Sequence, residues 1–386
     1  MFRRSYVRNV PILGAVEFLS FFGINSFWLL FLSQNGMTLW QIGILESILH
    51  LTSLLSEVPS GMLADRFSYK SNFYIGRFMS IISAILMVTA NGNFWLYALG
   101  FILTAWSYNF DSGTSMAFLY ESAKEAGKED KYLKYSSFIS GVLEAASALG
   151  MMTAGFFVHG LLDYTYYIKN AMSLVVIVLI SFMKEPNVKL KGEESPTLKE
   201  ITRNVRVFIR TNPRLMKWII LNQAMIALMY MFYFYFQHEF TKYTSWQISL
   251  IMLVSSIVNI IAVWLANKVG AKWSARKLFT WLVPLVGTIL LFAWFDLPSM
   301  YVLIYLLADG LVTMYMPIFN NDIQQDFESD IRATLLSVSE MMFSLAMIFI
   351  FPVVGVAIDT FGFATSFVGL GFVLLASAVL FHKIIK

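Results

Sequence analysis

The sequence predicts an all-α integral membrane protein with twelve transmembrane helices, arranged as two six-helix bundles related by a pseudo-two-fold axis. Three observations predict it. Of 386 residues, 58% are apolar and 13% charged, with a mean hydropathy of +0.66, against roughly half and a quarter in soluble domains. All but Lys169 and Lys242 of the 28 Lys and Arg residues fall in loops on one side of the expected spans, as cytoplasmic loops do. The two halves also repeat one another at corresponding helices.

Apolar runs near the length that crosses a bilayer, roughly 20 residues, occur at 10–33, 41–64, 72–92, 94–118, 134–159 and 163–183 in the first half. The second half has them at 215–238, 246–267, 277–295, 298–320, 333–357 and 362–384. The first run follows a basic start, continues past the length of a signal-peptide core and is followed by no small-x-small cleavage site, so it is expected to be retained. Between the runs, Arg66, Lys70 and Arg77, then Lys124 to Lys134, then Lys268 to Lys277 mark the inner side. Both termini are expected to be cytoplasmic, in a plasma membrane of bacterial inner-membrane type. The bundles are expected at 1–184 and 214–386, joined by a cytoplasmic linker at 185–213. In that linker Thr197 and Glu200 form a capping box after Pro196. Leu198, Ile201, Val205, Phe208 and Ile209 follow at helical spacing, with Arg203, Arg206 and Arg210 opposite, which reads as an amphipathic helix.

The repeat is visible residue by residue. Leu63-Ala64-Asp65-Arg66-Phe67-Ser68-Tyr69-Lys70 aligns with Leu265-Ala266-Asn267-Lys268-Val269-Gly270-Ala271-Lys272, Asp111 with Asp309, and Lys134 with Arg332. Other classes lose their requirements. With no cysteine there is no disulfide or thiolate, and His50, His159, His238 and His382 lack metal-ligand spacing. No Walker-type loop or sizeable soluble domain offers a nucleotide site. The net charge of +4 tracks topology rather than a nucleic-acid surface. No nucleophile–base set at one depth suggests an enzyme, and no output domain suggests a receptor.

In the stretch GMLADRFSYK, Gly61, Asp65, Arg66 and Lys70 are similar to the loop 2–3 signature of the major facilitator superfamily, with Ser68 in place of its second glycine and Tyr69 in place of its arginine. The second-half copy keeps Gly270 and Lys272. Glu57-Val58-Pro59-Ser60 and Arg332-Ala333-Thr334 also resemble members. The resemblance implies that this segment clamps the two halves on the cytoplasmic side, with Gly61, Asp65, Arg66, Lys70 and Arg77 as gating residues. Asp65 is expected against the N-terminus of helix 11, and Arg66 and Lys70 against Asp322, Asp326, Glu328 and Asp330. Lys268 and Lys272 would mirror them near Glu121, Glu125, Glu129 and Asp130. The plainer reading is that these charges only set topology.

An ionisable residue inside a span costs about 2.5–3.5 kcal/mol and is a functional candidate. The candidates are Glu17, Glu46, His50, Asp111, Glu144, Asp309 and Glu340. The resemblance implies that helices 1, 4, 7 and 10 line the central cavity, which singles out Glu17, Asp111 and Asp309 with Asn222 and Gln223. Glu144 joins them as a possible coupling carboxylate by depth, and Asp111 is favoured as the proton carrier over Asp309. The alternative for both acids is a buried structural hydrogen bond. The aromatic run Tyr230–Tyr235 is expected to face lipid rather than substrate.

These features point to a monomeric secondary transporter that moves a small-molecule substrate across the bilayer by alternating access. It would need no cofactor beyond a proton gradient. Twelve spans and Asp111-Ser112-Gly113 resemble proton-coupled drug exporters. However, the stretch Gly141–Gly150 lacks the proline such antiporters carry, so symport or facilitated entry of a specific solute or lipid-like substrate is the alternative.

Overall fold

The computed structural model describes residues 5–64, 67–187, 212–325 and 329–384. Asp65, Arg66, Asp326, Glu328 and the linker helix expected after Pro196 lie outside the described residues. Among the described residues thirteen α-helices follow in order, and no strand occurs. The first seven are α1 (Tyr6–Ser20), α2 (Trp28–Gln34), α3 (Leu39–Ala64), α4 (Tyr69–Thr89), α5 (Phe94–Glu125), α6 (Tyr132–Ala154) and α7 (Leu162–Phe182). The other six are α8 (Pro213–Tyr235), α9 (Ser245–Gly270), α10 (Ala275–Leu291), α11 (Pro298–Gln325), α12 (Ser329–Phe361) and α13 (Phe363–Ile384). Ten helices among the described residues are long and apolar enough to cross a membrane. With α5 and α13 the pattern is that of twelve spans, the first of them in two pieces.

Helix starts follow local chemistry. The side chains of Ser68, Asn93, Thr244 and Ser274 accept hydrogen bonds from backbone N–H groups in the first turns of α4, α5, α9 and α10, which satisfies donors that a helix cannot satisfy itself. Thr244 and Gln247 form a reciprocal capping box. Pro213 sits in the first turn of α8, where its missing N–H costs nothing. Gly362, at φ 82°, makes the turn between α12 and α13 in a conformation that disfavours side chains.

The chain forms two compact units. One runs through Asn35 and resumes from Ile48 to the end of α7; the other combines Gly36–Ser47 with the helices from α8 onward. The first unit has a core of Val10, Leu13 and Val16 from α1, Phe73 from α4, Phe118 and Leu119 from α5, Ile139 from α6, and Val176 and Ile180 from α7. Phe73 and Phe118 meet edge to face at 5.6 Å. At the α1 end, Asn9 donates to Ser122 Oγ and to the Lys184 carbonyl, both at 2.8 Å, and accepts from the Lys184 N–H at 2.9 Å.

The first expected span, 10–33, is not continuous. It breaks between α1 and α2 around a short 3₁₀ turn, Gly23–Asn25. Glycine and asparagine are poor helix formers, and tertiary contacts favour the break. Asn25 Nδ2 donates to Thr165 Oγ1 at 3.1 Å. The Gly23 backbone lies so close to Gly150 of α6 that a Cβ at 150 would come within 2.0 Å of the Gly23 nitrogen.

In the second unit α10 and α13 meet at a glycine pair, where a Cβ on Gly371 would stand 2.8 Å from the Gly287 carbonyl oxygen. The head of α3 packs on α12. Both oxygens of Asp359 accept from it, Leu39 N–H at 3.2 Å and Trp40 N–H at 2.9 Å, while Ser47 Oγ donates to the Ile348 carbonyl at 2.7 Å.

Gly150→Leu is expected to destabilise the protein by about 1–3 kcal/mol, the range for overpacking a close-packed site. Leu149→Ala, at a neighbouring side chain that is 45% exposed, should stay within about 0.5 kcal/mol. Unfolding of the purified protein in detergent checks the pair; equal midpoints would mean the Gly23–Gly150 approach relaxes freely.

Candidate functional site

Two polar clusters lie within the helices, one in each unit. In the first, α4 places Arg77 and α5 places Asp111, each 4% exposed, and the two form an ion pair and hydrogen bond. The helices come close because position 76 is glycine: a Cβ there would lie 2.9 Å from Asp111 Oδ1. Ser107 Oγ donates to the Gly76 carbonyl at 2.9 Å and ties the same two helices. Glu17 of α1 is 3% exposed and accepts from the Ser115 hydroxyl of α5. Its charged neighbours are Asp111 and Arg77. Lys169 of α7 is half-buried, on the face of the helix that also carries the buried Thr165, Tyr166 and Ser173.

In the second unit α11 places Asp309, 7% exposed. Its Oδ2 accepts from Asn259 Nδ2 at 2.9 Å and Ser255 Oγ at 3.4 Å, both on α9. Ser255 also donates to the Tyr305 hydroxyl at 3.4 Å. The ring of Tyr305 stacks on Tyr233 at 5.6 Å and 17°, and Tyr233 meets Tyr230 edge to face at 6.4 Å. Asn222 accepts from the Tyr315 hydroxyl at 2.5 Å, and Gln223 donates to Ser339 Oγ. Asn222 Nδ2, Gln223 Oε1 and Asn259 Oδ1 are buried and have no hydrogen-bond partner among the described residues. That leaves an amide donor and two acceptors, each able to bind a polar ligand or water.

Several sequence expectations fall elsewhere. Arg77, expected among the cytoplasmic gating charges, is the buried counter-ion of Asp111, because a guanidinium one helix away from a membrane carboxylate is its best available partner. Lys70 bonds to the end of α7 in its own unit. Its Nζ donates to the Ser181 and Met183 carbonyls at 3.2 Å, orphan acceptors at the C-terminal end of α7. Glu185 accepts from the Tyr69 N–H at 2.8 Å and the Lys70 N–H at 3.0 Å, which places an acid at the start of α4. Asp322 caps the start of α10 through the Ala275 N–H, and Lys268 lies over the Trp264 ring at 3.6 Å. Gly61 lies in α3. Glu144 is exposed and joins neither cluster.

The aromatic run, expected to face lipid, packs inward instead: no residue from Tyr230 to Tyr235 is exposed. Phe232 meets Phe367 at 4.8 Å, and Tyr235 donates to the Phe351 carbonyl at 2.7 Å. An aromatic stretch facing several neighbouring helices loses its lipid face to them. Sequence reasoning missed Asn259, Ser255, Ser115 and the depth of Lys169. The first three are uncharged polar residues inside apolar runs, a weak signal. Lys169 is an ionisable residue within a span, which is a strong one. Among the described residues no three His, Asp or Glu gather as a metal site would require.

The family model described as Major Facilitator Superfamily matches residues 12–349. An uncharacterized MFS-type transporter of Bacillus subtilis (strain 168), YxaM, is 25% identical over 162 residues, 42% of this chain and 39% of the relative. This chain therefore aligns with less than half of that relative's length. Among solved structures, a mutant of the nucleoside transporter NupG is 18% identical with a TM-score of 0.80, covering 98% of this chain and 100% of its own. A D-xylose-proton symporter is 13% identical with a TM-score of 0.71, covering 99% and 98%. The fucose:proton symporter FucP of E. coli is 14% identical with a TM-score of 0.56, covering 99% and 100%. At such identities these structures show the fold.

Removing Arg77 alone should leave Asp111 buried without its counter-ion. Arg77→Ala is expected to cost about 3–5 kcal/mol, and Arg77→Ala/Asp111→Ala to recover a large part of that loss. A double-mutant cycle by unfolding in detergent measures it. Additive losses would show that the two charges do not depend on one another.

Proposed function

The chain belongs to the major facilitator superfamily, and on that premise we propose that it takes up a specific polar solute in symport with protons, Asp309 carrying the proton. Drug export, expected from Asp111-Ser112-Gly113, has less support: similar structures include a nucleoside transporter and two sugar–proton symporters. Entry of a specific solute, the second reading of the sequence, is therefore the one carried forward.

One observation carries the assignment within the chain. The two membrane carboxylates that the repeat aligns have opposite kinds of partner. Asp111 is held by a guanidinium, which already supplies the positive charge a proton would bring. Asp309 is held by an amide and a hydroxyl, which accommodate either protonation state. An ionised carboxylate in a span is costly unless paired or hydrated, so loss of water from Asp309 favours taking up a proton. Access to water on the other side favours giving it back. Coupling through Asp309 reverses the preference for Asp111 that the sequence suggests, and Asp111 then serves as a fixed structural charge. Asn222, Gln223 and Asn259 are the groups best suited to orient the solute, because each retains an unused buried polar atom. Tyr233 stacks on Tyr305, whose hydroxyl lies 3.4 Å from the Ser255 Oγ that also bonds Asp309. Gating by Gly61, Asp65, Arg66 and Lys70 belongs to the same proposal: the Lys70 hydrogen bonds tie the start of α4 to the end of α7.

The test is uptake into cells and proteoliposomes of labelled nucleosides, pentoses, deoxyhexoses and small carboxylic acids, with and without an uncoupler. One class is expected to accumulate, more strongly as the outside is acidified, and to fall to the equilibrium level when the gradient is collapsed. Asp309→Asn should remove accumulation while preserving counterflow exchange. Accumulation by Asp309→Asn equal to the parent's would place coupling elsewhere. A dye retained only when the gradient is collapsed would restore export.

A further inference from the structure

The turn between α9 and α10 concentrates positive charge. Lys268, Lys272, Arg276 and Lys277 lie within ten residues of one another with no acid among them, and all four are exposed. The aligned stretch before α4 has Asp65 where this one has Asn267. Asp322 approaches from α11, but it accepts from the Ala275 backbone N–H. Among the described residues none of the four cations forms an ion pair. Topology accounts for cations on this side of the spans, but it does not dictate what surrounds them.

Two of the cations are placed by tryptophan. Lys268 Nζ lies 3.6 Å from the centroid of the Trp264 ring, and Lys277 Nζ lies 4.3 Å from that of Trp273. Both rings are exposed. A ring face draws an ammonium to it without offering an oxygen to the three N–H donors.

The helix faces that carry these lysines are graded. On α9 the exposed Ile257, Ile260 and Trp264 lead at helical spacing to Lys268. On α10 the exposed Leu285 and Trp281 lead in the same way to Lys277. Each face runs from aliphatic side chain to indole to ammonium as it nears the turn. Four residues of helix, about 6 Å, separate Trp264 from Lys268 and Trp281 from Lys277. That matches the headgroup layer on each side of the hydrocarbon, roughly 5–7 Å deep. Indoles favour the boundary between the two. A phospholipid presents the same order of groups: chain, ester linkage, phosphate.

We propose that the α9–α10 turn binds the phosphate of an anionic phospholipid in the leaflet on its own side of the membrane. An acidic protein segment would supply the charge but not the hydrocarbon that the graded faces fit. A zwitterionic headgroup would bring its own ammonium against four cations. The site lies wholly in the second unit and is independent of the solute and proton assignments above.

The test is native mass spectrometry of the full-length protein in detergent, with dioleoylphosphatidylglycerol and dioleoylphosphatidylcholine competing at fixed ionic strength. Thermal unfolding is followed with each lipid and with inorganic phosphate. Phosphatidylglycerol is expected to bind in preference and to raise the unfolding midpoint. Lys268→Gln/Lys277→Gln should bind it roughly 30-fold more weakly, about 2 kcal/mol for two cations near a bilayer surface, and Lys268→Arg/Lys277→Arg should retain it. Lys131→Gln/Lys134→Gln, which removes the same charge from the exposed α5–α6 turn, should bind as the parent does. Four results overturn the proposal: equal binding of the two lipids by the parent, inorganic phosphate raising the midpoint equally, an equal loss in Lys131→Gln/Lys134→Gln, or no loss in Lys268→Gln/Lys277→Gln. If that last variant does not fold, Lys268→Gln and Lys277→Gln decide singly, each expected to weaken binding about fivefold.

Discussion

The bilayer core supplies no hydrogen bonds and no counter-ions, so each polar group inside a span must be satisfied by the protein. That constraint explains the pairing of Arg77 with Asp111 more directly than any sequence motif does. Two charges that would each be costly alone are placed on adjacent helices, with glycine at position 76 leaving space for the carboxylate. The pair is buried, and its net contribution to stability is small compared with the loss when one partner is removed. It therefore specifies how α4 packs on α5 more than it strengthens the packing.

The second unit meets the same constraint without a cation. Asp309 is surrounded by an amide, a hydroxyl and tyrosine rings. Neutral donors of this kind hold a carboxylate in place while leaving its charge free to change. A duplicated architecture thus carries two acids at aligned positions in two electrostatic settings, one beside a guanidinium and one beside neutral donors.

Backbone polarity imposes a parallel demand at the helix ends. Glu185 supplies an acid to the first N–H groups of α4, and Lys70 supplies a cation to the last carbonyls of α7. Each end takes the sign of charge that its dipole prefers. The start of α4 is therefore anchored within its own unit. Close backbone approaches do the corresponding work in the apolar regions. Gly23 against Gly150 and Gly287 against Gly371 let helices touch where dispersion contacts, in the absence of a hydrophobic drive between helices in lipid, must hold them together.

The sequence by itself determined the class, the number of spans, their order and the duplication. These follow from the length of apolar runs and the side on which lysine and arginine fall, both of them one-dimensional properties that the bilayer reads directly. It also identified Glu17, Asp111 and Asp309 as the expensive carboxylates, because a charge in an apolar run stands out without any structure. Only the tertiary structure decided their partners. Arg77 lies 34 residues from Asp111 and Asn259 lies 50 from Asp309, separations bridged by helix packing rather than by any local pattern. The interruption between α1 and α2, the inward packing of Tyr230–Tyr235 and the exposure of Glu144 were settled in the same way. A span's apolar content says that it crosses the membrane, but which of its faces meets lipid depends on the neighbours that cover the others.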